Sequence, residues 1–201
     1  MKILDRFRLW RLRRLPKVQR HIEGTHLGVA RTAVLLYKHG GTEKSETISH
    51  WVEQLQQAGG ESLRVIPMAY WHRTKEERKK AHQSGEKSHT TAKTPFDLLP
   101  QPWWHFDDSA ISSWRRPKSV ELRRFINTDY DLLLYCETAP CWVLEEVLAR
   151  SKARMKIGPS GLERSMDLDI ILATTPPTSF DSHLQGMFDF LTQAPLQSSH
   201  R

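Results

Sequence analysis

Two residues stand where an α/β sheet does its chemistry. His39 lies in Lys-His-Gly-Gly (residues 38–41) directly after an apolar run, and Glu137 lies in Cys-Glu-Thr (residues 136–138) directly after another. A histidine and a carboxylate brought within hydrogen-bond reach make an acid–base pair. Glycines that enter a helix leave backbone N–H groups open to a phosphate. His39 and Glu137 are therefore the catalytic candidates, for small-ligand or phosphoester chemistry beside Gly40 and Gly41. The same Gly-Gly pair also serves a plain strand-to-helix turn, and neither G-x-G-x-x-G nor G-x-x-x-x-G-K-[ST] occurs.

Other chemically suggestive sets have simpler readings. Asp129 and Asp131 look like a carboxylate pair but precede their strand, at the sheet end where active sites are rare, so turn capping around residues 127–129 is expected. His72, His82, His89 and His105 show no H-x-H, H-x-x-x-H or H-E-x-x-H spacing, and they are read as solvated loop histidines. Cys136 and Cys141 do not form C-x-x-C, and no further cysteine could complete a zinc site. They are expected to be buried thiols. No metal and no cofactor is expected.

Charge supplies a different candidate. Lys2, Arg6, Arg8, Arg11, Arg13, Arg14, Lys17 and Arg20 face a single acid, Asp5, within residues 1–20, an excess equal to the formal net charge of +7 for the whole chain. The body is near neutral. An arm of this kind seeks polyanions, and RNA or a ribonucleoprotein is the expected partner, through Arg6, Arg8, Arg11, Arg13, Arg14, Lys17 and Arg20. Arg115 and Arg116 extend this basic set in the body, where Lys118, Arg123, Arg124, Arg150, Lys152, Arg154 and Lys156 recur near Trp103, Trp104 and Trp114. Phosphate contacts and base stacking would combine there. The arm also carries an apolar stripe, Ile3, Leu4, Phe7, Trp10, Leu15, Val18 and Ile22, which Pro16 should kink. It fits a helix docked on the body or, as an alternative, one lying on an acidic membrane surface.

No run approaches the ~18 apolar residues of a membrane span. The first serine is Ser45, against the Ser-rich habit of transit peptides, and two cysteines suit a reducing compartment. A cytoplasmic location is expected. A hydrophobic share of 38% and a mean hydropathy of −0.57 imply that some segments never pack.

The elements that must position these residues follow from periodicity. Apolar runs at residues 29–37, 62–69, 130–136, 153–157 and 168–173 predict strands, and a short further strand is expected within 96–114. Pro67 suggests an edge or a bulge for the second. Helices are expected after Gly41, with Thr42 as cap and Gly59-Gly60 as stop; briefly at 117–125; at 141–151; and after Pro177, where Phe180, Leu184, Met187, Phe188 and Leu191 share a face. Strands alternating with helices indicate a three-layer α/β domain with a mostly parallel sheet and helices on both faces, preceded by a basic N-terminal helix.

Phe-Ile-Asn-Thr-Asp-Tyr-Asp-Leu-Leu-Leu (residues 125–134), Ser-Lys-Ala-Arg-Met-Lys-Ile-Gly (151–158) and Leu-Asp-Ile-Ile-Leu (168–172) resemble an uncharacterised family of small cytoplasmic α/β proteins from Bacteroidota. The resemblance implies a bacterial, cytoplasmic protein and carries no activity. The organisation expected is a basic arm at 1–25, an α/β domain at 26–195 with a polar insertion at about 73–95, and a disordered tail at 196–201. The functional expectation is a non-catalytic binding or scaffold protein that contacts RNA through its arm.

Overall fold

The computed structural model describes residues 18, 27–40, 42–72, 104–111, 116–173 and 179–193. The arm cations Arg6, Arg8, Arg11, Arg13, Arg14, Lys17 and Arg20, the 73–95 insertion, Arg115 and the 196–201 tail lie outside them.

Six strands form one sheet: β1 (Thr32–Lys38), β2 (Arg64–Trp71), β3 (Trp104–Asp107), β4 (Leu132–Tyr135), β5 (Met155–Pro159) and β6 (Ile170–Leu172). Their order is β3-β2-β1-β4-β5-β6, and every pairing is parallel. Among the described residues four helices cover it: α1 (Thr42–Gly59), α2 (Val120–Asn127), α3 (Trp142–Arg150) and α4 (Phe180–Gln193).

Successive strand residues point to opposite faces, and the two faces build two cores. Val34 and Leu36 of β1 and Leu133 and Tyr135 of β4 pack under α2 and α3, against Leu122, Phe125, Val143 and Val147. Ala33, Leu35 and Tyr37, with Leu132 and Leu134, pack on the other side against Ile48, Trp51 and Leu55 of α1 and Leu184, Met187 and Leu191 of α4. The central strands, β4 and residues 33–37 of β1, are apolar at every position because both of their faces are covered.

Local chemistry sets the boundaries. Gly60 follows α1 at φ +75°, the left-handed stop expected there. Ser119 caps α2, its side chain accepting from Leu122 N at 3.0 Å. Several expectations shift. β1 starts at Thr32, leaving Val29 exposed, and α1 begins at Thr42 itself. Gly158 and Pro159 lie within β5 rather than ending it. A Cβ at Gly158 would sit 3.1 Å from both Leu168 Cδ2 and Tyr135 Cβ, so a side chain there would require these neighbours to give way.

Pro67 lies in β2, which is not an edge strand. Arg64 N donates to Arg31 O, and Tyr70 O accepts from His39 N, so the even-numbered residues of β2 turn their backbone groups toward β1. Pro67 turns the other way, where pairing with β3 begins one residue later at Met68↔Trp104. The missing N–H therefore costs no ladder bond to β1.

Candidate functional site

The chain leaves β1 toward β2 and β3 on one side and returns to β4 on the other, so the strand order reverses between β1 and β4. Crevices at such a point, outside the carboxyl ends of the strands, are where open α/β sheets bind ligands. Lys38 ends β1 there with His39 and Gly40 after it, and Glu137 and Thr138 follow β4. Both catalytic candidates thus lie at the switch point.

Glu137 is drawn into the crevice. Its Oε1 accepts from Lys38 N at 2.7 Å and from Lys44 Nζ at 2.5 Å, and the residue is 8% exposed. Lys44 lies in the first turn of α1, where the helix dipole disfavours a cation; the Glu137 carboxylate offsets that. Its ammonium also sits 4.1 Å from the centroid of the Phe180 ring at the start of α4. The half-buried His39 imidazole is held below its ordinary value, first by burial and then by the Lys44 charge. His39 and Glu137 are thus linked through Lys44, one by field and one by hydrogen bond.

α4 adds a group the sequence reading missed. His183 is buried, and its Nε2–H donates to Tyr135 O at 3.2 Å at the end of β4. Burial lowers its pKa, opposed by that hydrogen bond and by the Glu137 charge. Burial also pushes the Tyr37 and Tyr135 hydroxyls and the Cys136 thiol up, which keeps all three neutral. Lys44 had a legible signal, a cation placed against a helix dipole. His183 had one too, a polar residue one turn before Met187 on an apolar face.

A second polar cluster adjoins the first, since His39 N donates to Tyr70 O at 2.8 Å. Tyr70 Oη donates to Asp108 Oδ1 at 2.8 Å, and His72 Nδ1 lies 3.2 Å from Asp108 Oδ2. His72 and His105 are exposed as expected, but His105 lies within strand β3 rather than in a loop; His82 and His89 lie outside the described residues. Among the described residues no group of three or more His, Cys, Asp or Glu could hold a metal ion.

Other candidates turn out to brace the fold. Asp131 does not cap the 127–129 turn: its Oδ2 accepts from Arg31 N, Thr32 N and Thr32 Oγ1 at 2.9 to 3.0 Å, joining β1 to β4 at the amino edge. The turn is satisfied by Asn127 Nδ2 and Thr128 Oγ1, which donate to Arg123 O and Arg124 O. Lys156 is buried because strand alternation points it at α3, where its ammonium donates to Leu148 O in the last helical turn. Arg150 pairs with Glu146 and Arg154 with Asp131. Trp104 packs against the core. Arg116, Lys118, Arg123 and Arg124 are exposed. Cys136 is buried as expected, but Cys141 is only half-buried at the start of α3.

Among the described residues no helix is long and apolar enough to cross a membrane. No curated protein matches the chain. Among solved structures it is similar to an alpha,alpha-trehalose 6-phosphate synthase from Burkholderia multivorans, with 10% identity and a TM-score of 0.41 over 84% of this chain and 36% of that one. The chain thus spans about a third of that protein's length. Residues 101–193, which take in β3 to α4 with Glu137 and His183 but not β1, His39 or Lys44, match the family model described as a family of unknown function, DUF6913.

Proposed function

We propose that the protein is a non-catalytic binding or scaffold protein of the bacterial cytoplasm that contacts RNA, alone or in a ribonucleoprotein, through its basic arm. The observation that carries this reading is the placement of charge: residues 1–20 hold an excess equal to the whole +7. The exposed Arg116, Lys118, Arg123 and Arg124 support it as a second basic surface. So does the use of Glu137, whose carboxylate is engaged in bracing β1 and α1. The test removes residues 1–20 and measures RNA affinity across a salt titration. The truncated chain is expected to bind much more weakly and with little salt dependence; equal binding by both forms would refute the proposal.

One observation favours a second reading, a small phosphorylated ligand bound at the carboxyl ends of the strands. The strand order reverses where Lys38, His39, Lys44 and Glu137 gather. Three of these four are basic residues, which suits an anion. Peripheral membrane attachment through the arm is the remaining alternative; binding to acidic vesicles in place of RNA would favour it.

A further inference from the structure

The Glu137 carboxylate lies beyond the carboxyl ends of the strands at the switch point, the region where doubly wound sheets bind ligands. Two donors from the β1–α1 side of the switch point, Lys38 N–H and the Lys44 ammonium, converge on its Oε1, while Glu137 itself comes from the β4 side. The Phe180 ring covers the ammonium from α4. A backbone N–H and a lysine aimed at one oxygen are the donor types that hold a phosphate. Here the oxygen belongs to the chain. Glu137 lies beyond the end of β4, in the irregular stretch before α3, so its side chain can turn out of the crevice without breaking a strand ladder.

We infer that Lys38 N–H and Lys44 Nζ form an oxyanion site that Glu137 fills in this structure, and that the phosphate group of a small ligand enters it by displacing the carboxylate. This rests on the second reading above and adds to it the donors, the ligand chemistry and an internal competitor. A tethered competitor lowers apparent affinity by the fraction of molecules in which the site is open. If Glu137 is out in fewer than about one molecule in ten, removing its carboxylate tightens phosphate binding about tenfold or more.

The test uses the full chain, inorganic phosphate as probe, and sodium chloride to hold ionic strength constant. Thermal unfolding and amide NMR shifts are followed in wild type, Glu137→Gln, Glu137→Ala and the double variant Glu137→Ala/Lys44→Ala. Phosphate is expected to raise the melting temperature of both single variants at about a tenth of the concentration that wild type needs, with shifts at residues 38–40. The double variant should lose the response. Glu137→Gln keeps volume and an acceptor, so the comparison survives if Glu137→Ala does not fold. Shifts at residues 38–40 of equal affinity in wild type and Glu137→Gln would overturn the displacement inference and leave the ligand reading standing. Shifts elsewhere only, or none in any variant, would overturn both.

Discussion

His183 shows how one buried side chain ties a helix to the switch point and makes stability depend on pH. Its imidazole donates to Tyr135 O, and burial lowers its pKa from the ordinary 6.5. The unfolded chain takes up a proton near pH 6.5 and the folded chain does not, so the unfolded state binds more protons below that value. This contribution to stability is present above about pH 6.5 and is lost as pH falls toward the folded pKa, with a slope of at most about 1.4 kcal/mol per pH unit for one group. His39, shifted in the same direction, adds to the decline. Urea unfolding at pH 7.5 and 5.5 is expected to show a smaller acid loss in His183→Gln than in wild type; an identical loss would assign the effect elsewhere. The thiols make a second prediction at this scale. Cys141 is half-buried and Cys136 fully so, both with raised pKa. A disulfide reagent on the native protein should label Cys141 slowly and Cys136 only on unfolding.

The turn between β5 and β6 is held by charge in a dry place. Arg164 is 0% exposed and Asp167 2%, and Arg164 Nε donates to Asp167 Oδ2. Arg164 N donates to Glu145 Oε2 at 3.0 Å, fastening the turn to α3. Burial is the largest cause of the raised pKa of Glu145. Breaking a buried pair leaves an uncompensated charge, at a cost of about 3–5 kcal/mol, whereas replacing both partners with apolar residues of similar volume is often near neutral. Asp167→Ala is therefore expected to lower the urea midpoint sharply, and Arg164→Met/Asp167→Leu to recover much of the loss. A single variant as stable as wild type would show that the pair contributes little. The same contrast marks α4, whose Leu184, Met187 and Leu191 are buried. Leu191→Ala there should cost about 2–5 kcal/mol by leaving a cavity.

Taken whole, the sequence sets a near-neutral body after a strongly basic stretch at residues 1–20. Counterion release gives log affinity a slope of about −0.7 per phosphate contact against log salt for single-stranded nucleic acid. With eight Lys or Arg within residues 1–20, an arm that engages RNA should show a steep slope, approaching about −5 if most contacts form, and its removal should flatten it. The midpoint of urea unfolding for the body is expected not to move, because among the described residues the two cores are built from Leu27 onward. A large stability loss on truncation would mean that the arm packs on the body.

Periodicity in the sequence was sufficient for the number and kind of the strands. Val34, Leu36, Leu133 and Tyr135 alternate with Ala33, Leu35, Leu132 and Leu134, and runs apolar at every position are what two covered faces demand. Turn chemistry at Gly60 was legible too, because few residues but glycine adopt a left-handed backbone there. Strand order was not: which strand neighbours β1 depends on contacts between residues about 100 positions apart, such as Leu35↔Leu134. For the same reason Asp131 read as a local cap when it joins β1 to β4, and Lys156 as a surface cation when alternation buries it against α3. His39 and Glu137 were found because strand ends can be located from the chain alone. That Lys44, Phe180 and His183 come together was not legible, despite local signals at Lys44 and His183, since two helices from opposite ends of the chain meet over that edge only after the sheet closes their distance.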